Sequence, residues 1–196
     1  MKKIILTLLL GFISTQAFAQ DSKFYFGASG GQTKFDTGIT AITAQLDEKD
    51  TGFKVFAGYE INENVSIEGF YADLGTASLS GTNGQTFRTN NTTYQFTSSA
   101  SISVKGTALG ASILAGVPIN EYVKPYAKIG FSRTKTEVSY TGTNAPNESE
   151  TDTEPMYGVG VDFNITKSIA LRIEYEIYKS DDEKAKLISA GVKFRF

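Results

Sequence analysis

The amino-acid sequence predicts an all-β protein, an eight-stranded antiparallel up-and-down β-barrel that spans a membrane. Three observations lead to this prediction: an export signal at the N-terminus, a C-terminal segment with one apolar face, and an alternation of short turns with long polar connections. Most of the chain after the export signal alternates apolar with polar residues. A period of two is typical of strands in a sheet that has two different faces.

The N-terminus has the pattern of a cleavable secretory signal peptide. Two lysines precede a short apolar core over residues 4–13, and an A-x-A cleavage site ends at Ala19. The apolar core is too short to cross a bilayer as a helix. We therefore expect a signal peptide over 1–19 and a single outer-membrane β-barrel domain over 20–196.

Composition removes several classes of function. The 196 residues include no Cys and no His, whereas Phe, Tyr and Gly number 14, 10 and 19. An exported chain of this composition has no disulfide framework, and Ser-His-Asp catalysis, Cys-His catalysis and His-ligated zinc are excluded. Subtracting the two signal-peptide lysines from 19 basic residues leaves 17 against 21 acidic residues, a net charge of −4 that does not favour nucleic-acid binding. We expect no enzyme, no cofactor and no metal site.

Eight segments are predicted to form the barrel strands, because each alternates apolar with polar residues and is bounded by turn-forming residues. They are residues 23–35, 52–61, 65–77, 101–119, 122–140, 154–165, 169–177 and 187–196. In the fourth segment, Ile102 and Val104 are out of phase with the apolar residues that begin at Leu109. This change of phase predicts a β-bulge near Gly106.

The connections between these segments alternate in length. Those after the second, fourth and sixth segments contain two to three residues, whereas long polar connections over 36–51, 78–100 and 141–153 follow the first, third and fifth. Short turns at one end and long loops at the other are typical of outer-membrane barrels. The long connections are rich in Thr, Ser, Asn and Gly, which predicts exposed loops at the cell surface. The acidic turn at 181–183 could bind Ca²⁺, but we interpret it as a solvated turn and expect no metal there.

Charge is concentrated on one face of the predicted strands, where five basic and five acidic side chains occur. They are Lys54, Glu60, Glu68, Lys128, Asp162, Arg172, Glu174, Glu176, Lys193 and Arg195. In a membrane barrel this face lines the lumen, where opposite charges are expected to pair because isolated buried charges are costly. In a soluble ligand-carrying barrel the apolar face would line the interior instead. Alternation alone allows both arrangements, and the three observations above favour the membrane.

The C-terminal segment predicts the strand that closes the barrel. Ile188, Val192, Phe194 and Phe196 share one face and alternate with small or charged residues up to the last position. Terminal residues usually fray in water, whereas a closing strand needs an outer face suited to lipid and a partner for its edge. We expect these four residues to close the barrel against the first strand and to be recognised by the barrel-assembly machinery.

Several strand motifs resemble those of the OmpA-type eight-stranded transmembrane β-barrels of Gram-negative outer membranes. The similar stretches are residues 126–130, 158–166, 169–175 and 187–196, and the resemblance covers nearly the whole mature chain. It implies a location in the cell outer membrane and an acid–base cluster that plugs the lumen. By motif position, the members of that cluster are Glu68, Lys128, Asp162, Arg172 and Glu174.

Two departures from the OmpA-type pattern affect what the resemblance implies. Leu114 stands where the type member carries a further lumen lysine on strand four, so a gating mechanism does not follow from the resemblance. A periplasmic peptidoglycan-binding domain is not expected after the barrel, and tethering to the cell wall is therefore not implied. In this respect the chain is similar to short barrels of the OmpX, Ail and opacity-protein type.

The sequence thus predicts a non-enzymatic integral protein that contributes to outer-membrane integrity and presents long extracellular loops. Outer-membrane lipid and lipopolysaccharide are its expected surroundings, and a host or matrix molecule is the candidate ligand of the loops. A surface adhesin and a narrow ion-conducting porin are alternatives that the residues leave open. A soluble secreted ligand-binding β-barrel is the alternative architecture.

Overall fold

The structure, a computed structural model, describes residues 23–89, 91–142, 146–180 and 183–196. In these ranges the chain forms twelve β-strands and no helix. The strands are β1 (Phe24–Asp36), β2 (Thr40–Ala41), β3 (Gln45–Asp47), β4 (Lys49–Glu60), β5 (Val65–Gly81), β6 (Thr86–Thr89), β7 (Thr92–Gln95), β8 (Ala100–Gly116), β9 (Val123–Thr141), β10 (Glu148–Asn164), β11 (Ile169–Ser180) and β12 (Glu183–Arg195). Within the described part of the chain, no segment forms a helix with the length and hydropathy needed to cross a bilayer. The predicted signal peptide lies outside the described residues.

The eight long strands β1, β4, β5, β8, β9, β10, β11 and β12 form a closed antiparallel barrel. Each pairs with its neighbour along the chain, and β1 also pairs with β12, from Tyr25 opposite Arg195 to Asp36 opposite Lys184. This last pairing leaves no open sheet edge, which lipid could not satisfy with hydrogen bonds. The predicted fold class is confirmed.

The strands extend further towards the long connections than the sequence indicated. β5 runs to Gly81, β10 begins at Glu148 and β12 begins at Glu183. Beyond the membrane, a strand needs a paired neighbour but no apolar outer face, so alternation disappears from the sequence before the pairing ends. The connections 36–51 and 78–100 are also not simply loops, because they contain β2, β3, β6 and β7.

The irregularity expected near Gly106 in β8 lies across from that residue, in β5. The register shifts at Leu74, and Gly75 adopts a positive φ of 81° that favours glycine. Alternation in β8 does not change phase, and the prediction of a bulge in that strand was wrong. Ile102 and Val104 continue the inward face, which becomes apolar at this level.

The outer face of the barrel is an apolar band. Large apolar side chains on all eight strands point outward and are exposed, among them Phe26, Val55, Tyr71, Ile113, Ile129, Val159, Ile173 and Ile188. The charged side chains point inward and are mostly buried. This distribution is the reverse of a soluble barrel and matches a lipid-facing surface, so the soluble alternative does not describe the fold.

Aromatic rings gather where the apolar band meets the short-turn end of the barrel. Phe26 stacks on Phe194 and Phe196, with ring centroids 5.3 and 5.1 Å apart, and Phe24 meets Tyr59 edge-on at 4.8 Å. These contacts join β4, β1 and β12 on their outer face. They form part of an aromatic girdle and reinforce the seam that closes the barrel.

The half of the lumen nearer the long connections is packed as an apolar layer, which the sequence analysis did not anticipate. Its buried members are Phe35, Phe70, Leu74, Ala77, Ala108, Met156, Tyr178, Ala185 and Leu187. The Phe70 and Tyr178 rings meet edge-on with centroids 5.9 Å apart. A cavity at the rim of this layer measures about 30 Å³, which is room for one or two water molecules. The interior is therefore filled by side chains at this level.

Candidate functional site

The half of the lumen nearer the short turns contains a cluster of buried charges centred on Arg172. The guanidinium donates to both oxygens of Asp162, from Nε at 2.8 Å and from Nη2 at 3.2 Å, and its Nη1 donates to Glu68 at 2.6 Å. It also lies over the Phe56 and Tyr126 rings, 4.5 and 5.1 Å from their centroids. Arg172 on β11 thereby joins β10 to β5 across the lumen.

Two lysines, Lys128 and Lys54, bind the carboxylates of the charged side chains next to Arg172. The Nζ atom of Lys128 donates to Glu68, Glu174 and Glu176, each at 2.9 Å. The Nζ atom of Lys54 bonds Glu174 and also Glu176, the latter at 2.9 Å. All five side chains are fully buried. Lys54 and Glu174 are 120 residues apart in the chain, so the cluster depends on closure of the barrel.

Two tyrosines complete the carboxylate hydrogen bonds, and sequence reasoning did not assign them this role. Tyr25 donates to Glu68 at 3.1 Å, and Tyr126 donates to Glu174 at 2.8 Å. Glycines give their rings room, because a Cβ at Gly160 would lie 2.5 Å from the Tyr126 ring. One sequence signal could have indicated this role: an inward tyrosine is paired with an inward glycine on the neighbouring strand, which leaves space for the ring.

The cluster continues towards the short turns. Lys193 donates to Glu60 at 2.7 Å and to Asp162 at 3.1 Å, with its Nζ 4.1 Å from the Tyr25 ring centroid. Arg195 donates to Glu60 at 3.1 Å and to Asn164 at 2.9 Å. We call the ten ionised residues from Lys54 to Arg195 the charge cluster.

All five residues that the resemblance assigned to the lumen lie in the charge cluster, and the structure adds five more of the predicted inward charges. The cluster contains five basic and five acidic groups, so it carries no net charge when all are ionised. Leu114, which stands where the OmpA-type pattern has a further lumen lysine, is buried among the inward side chains. Balanced pairs with full hydrogen bonding are the arrangement that buried charges require.

The predicted closing strand lies at the seam with β1. Ile188, Val192 and Phe194 of β12 are paired with Gln32, Ala28 and Phe26 of β1. Phe196 follows β12, and its backbone N–H donates to the carbonyl of Phe24 at 3.2 Å. The four residues therefore face outward along the strand that completes the barrel.

At the opposite end, parts of the first two long connections form a small separate sheet. β2, β6 and β7 pair in that order, and the Phe87 ring stacks on Tyr94 at 5.6 Å and against Phe96 at 5.3 Å. Ile42 and Tyr94 are about half exposed, at 51% and 49%. Residues 181 and 182 of the acidic turn lie outside the described residues, and no metal-binding cluster of acidic side chains is found in the described ranges.

Comparisons with known proteins agree with this geometry. A family model, outer membrane protein beta-barrel domain, matches residues 5–196. Outer membrane protein A of Salmonella typhi is 28% identical over 200 residues, 96% of this chain and 53% of that protein. The chain thus spans about half the length of such relatives. The attachment invasion locus protein of Yersinia pseudotuberculosis is 27% identical over 154 residues, 78% of this chain and 75% of that protein.

A solved structure shows the same fold. The attachment invasion locus protein Ail of Yersinia pestis, in complex with the heparin analogue sucrose octasulfate, superposes with a TM-score of 0.54. The two sequences are 22% identical, and the match covers 89% of this chain and 99% of that one. The predicted resemblance to OmpA-type barrels is confirmed. This chain belongs to the family of outer membrane protein β-barrel domains and is a protein of the cell outer membrane.

Proposed function

We propose that this protein is a non-enzymatic, sealed barrel that contributes to outer-membrane integrity and presents a folded sheet at the cell surface. The observation that carries the proposal is the filling of the lumen by two stacked layers. The charge cluster ties opposite walls of the barrel together, and the apolar layer packs above it. A narrow porin is disfavoured because an ion would have to separate buried ion pairs and then enter an apolar layer.

The sealed lumen leads to a direct electrical test. Purified protein inserted into planar lipid bilayers should give no stepwise ion current, because the side chains of the two layers fill the lumen in the described part of the barrel. Heat modification of mobility in SDS gels, unboiled against boiled, should show that the sample is a folded barrel. Regular openings from a sample that passes this gel test would contradict the sealed-barrel proposal and support the porin alternative.

The contribution to integrity is tested in cells. Deletion of the gene should increase leakage of periplasmic enzymes and sensitivity to detergent, and expression of the wild-type barrel should restore both. A barrel without the surface sheet, in which 82–99 is replaced by a short Gly-Ser turn, should restore them equally well. If neither phenotype depends on the gene, the integrity role is wrong.

Assembly through the C-terminal strand is part of the proposal. β12 supplies the edge that closes the barrel against β1, and two outward aromatic residues lie at its end, Phe194 in the strand and Phe196 directly after it. We expect that replacing both with Ser weakens recognition by the barrel-assembly machinery and reduces the folded fraction in cells. The same variant should still refold from urea into detergent micelles, at lower stability. Equal loss in both settings would point to folding alone.

A surface adhesin is the second candidate, and the sheet formed by β2, β6 and β7 favours it. Tyr94 in this sheet is about half exposed, as is Ile42 directly after β2, and the related attachment invasion locus protein is named for attachment. Replacing both with Ser should reduce binding of bacteria to host cells several-fold and leave gel mobility unchanged. Thr93→Ala, an exposed change on the neighbouring position of β7, is the matched control. Equal adhesion of all three proteins would refute this candidate.

A further inference from the structure

One strand of the barrel, β10, extends well beyond its neighbour on one side. The β9–β10 hairpin is longer than the β11–β12 hairpin next to it, so β10 pairs with β9 from Glu148 onward but with β11 only from Met156 onward. Among the described strands, residues 148–155 therefore have β9 as their one neighbour. We call this segment the β10 edge. Pro155, which has no N–H to donate, stands where the pairing with β11 stops.

The β10 edge presents backbone groups that a further strand can pair with. In an antiparallel ladder every second residue directs its N–H and C=O away from the existing partner, and eight residues of strand span about 25 Å. The outward residues over 149–153 are Ser and Thr, which places this part of the strand beyond the apolar band and in water. The opposite edge of the extended sheet differs, because β3 covers it by pairing with Ser78–Ser80 of β5. The β10 edge is thus the place where a strand can be added.

Acidic side chains occupy one face of the β10 edge. Four of them alternate with uncharged residues, at Glu148, Glu150, Asp152 and Glu154. They lie about 7 Å apart in a row, on the face that continues the inward side of the barrel. Opposite them β9 has uncharged residues, from Val138 to Ser132. In the described ranges the side chains of Glu148, Glu150 and Glu154 form neither ion pairs nor hydrogen bonds, whereas Asp152 has a partner of its own.

This row of carboxylates decides which added strand fits. A second copy of the β10 edge would bring its own acidic row against the first, and like charges directly opposite each other destabilise a sheet. A strand with basic side chains at alternate positions would instead pair them with the carboxylates on one face. The outer face of β9 favours no such pattern, because its charge is mixed and Lys135 already pairs with Glu137 at 2.6 Å.

We propose that the β10 edge binds an extended peptide segment, with Lys or Arg at every second residue, as an added β-strand. Backbone hydrogen bonds along the edge supply the affinity, and the carboxylates select the alternating basic pattern. The inference concerns a surface separate from the sheet of β2, β6 and β7, and it does not depend on what that sheet binds.

The probe is a fluorescent eight-residue peptide that alternates Lys with Thr. A peptide of the same composition, with its lysines consecutive, controls for charge alone. Two further versions of the alternating peptide carry backbone N-methyl groups, either on every Lys or on every Thr. An added strand turns the N–H groups of only one of these two sets towards β10. Binding to the full-length barrel in neutral detergent micelles is followed by fluorescence anisotropy.

The wild-type barrel should bind the alternating peptide several-fold more tightly than the peptide with consecutive lysines. One N-methylated version should lose binding and the other should keep it. Glu148→Gln, Glu150→Gln and Glu154→Gln together remove three carboxylates from the β10 edge and keep the size of the side chains. Each opposite-charge pair between neighbouring strands contributes about twofold in affinity, so this triple variant should bind the alternating peptide roughly eightfold more weakly.

A second triple variant is the matched control. Asp47→Asn, Glu63→Gln and Glu121→Gln remove the same number of exposed carboxylates from β3 and from two short turns. This control should bind the alternating peptide within about twofold of the wild type. Heat-modifiable gel mobility checks the fold of each variant.

Four results would overturn the proposal. The first is a wild-type barrel that does not bind the alternating peptide. The second is equal affinity for the two peptides of the same composition, which would indicate a general attraction between charges. The third is an equal effect of the two N-methyl sets, which would mean that no strand is added to β10. The fourth is equal loss of binding in the two triple variants, which would separate binding from the carboxylates of the β10 edge.

Discussion

Replacing Arg172 with methionine should lower the free energy of unfolding by about 3–5 kcal/mol. Methionine fills similar volume, but Asp162 and Glu68 lose the guanidinium that each of them contacts, and both remain buried. Lys193 and Lys128 still contact these two carboxylates, but the cluster is left with five buried acidic groups against four basic ones, and a net buried charge is costly. Equilibrium urea unfolding of the barrel in detergent micelles, followed by heat-modifiable gel mobility, measures the change.

Arg133→Met is the matched control for this substitution. Arg133 is exposed on the outer face of β9 and is not part of the charge cluster, so we expect a change within about 0.5 kcal/mol. Glu68→Gln keeps the shape of the side chain and should cost less than Arg172→Met, which provides a readable variant if the latter does not fold. A charge cluster that contributes nothing to stability would leave all three variants equal to the wild type.

Gly31→Ala should prevent or strongly weaken closure of the barrel. A Cβ at this position would overlap the carbonyl oxygen of Ile188 and lie 2.6 Å from the Cα of Ser189, both backbone atoms of β12. Backbone cannot rotate away as a flexible side chain can, so the strands must separate at the seam. We expect a loss of about 3 kcal/mol or more, at or above the upper range for overpacking.

The adjacent glycine provides the control. A Cβ at Gly30 would approach nothing closer than the carbonyl oxygen of Gly52 at 3.9 Å, so Gly30→Ala should change stability by less than about 0.5 kcal/mol. Both variants are measured by the fraction that keeps the mobility of the folded barrel in unboiled gels after refolding. If Gly31→Ala refolds as well as Gly30→Ala, the seam is not as tightly packed as the structure indicates.

Much of the barrel could be predicted from the sequence because a strand in a membrane carries its orientation in its own residues. In β11, apolar Ile173 alternates with charged Arg172 and Glu174, and the structure places the first outward and the others inward. The inward charges were therefore recognisable one strand at a time. The role of Tyr25 and Tyr126 was not, because each meets its carboxylate on a strand distant in the chain.

The same limit explains the two wrong or missing details of the interior. The change of phase at Ile102 suggested a bulge in β8, whereas the extra residue is Leu74 in the partner strand β5. Where the lumen is apolar, an inward side chain is also apolar, and the sequence then shows the same change of phase that a bulge would produce. Whether the lumen is polar or apolar at a given level depends on all eight strands at once.

The sequence by itself determined the number of barrel strands, the face that each turns to lipid and the balance of charge inside. The strands and their two faces follow from period-two alternation and turn residues, which are local, and the export signal, the uneven connections and the C-terminal segment assigned the apolar face to lipid. Only the tertiary structure decided which charges meet and that an apolar layer lies above them. Each of these depends on strand register and on closure of β1 against β12, which brings together residues from opposite ends of the chain.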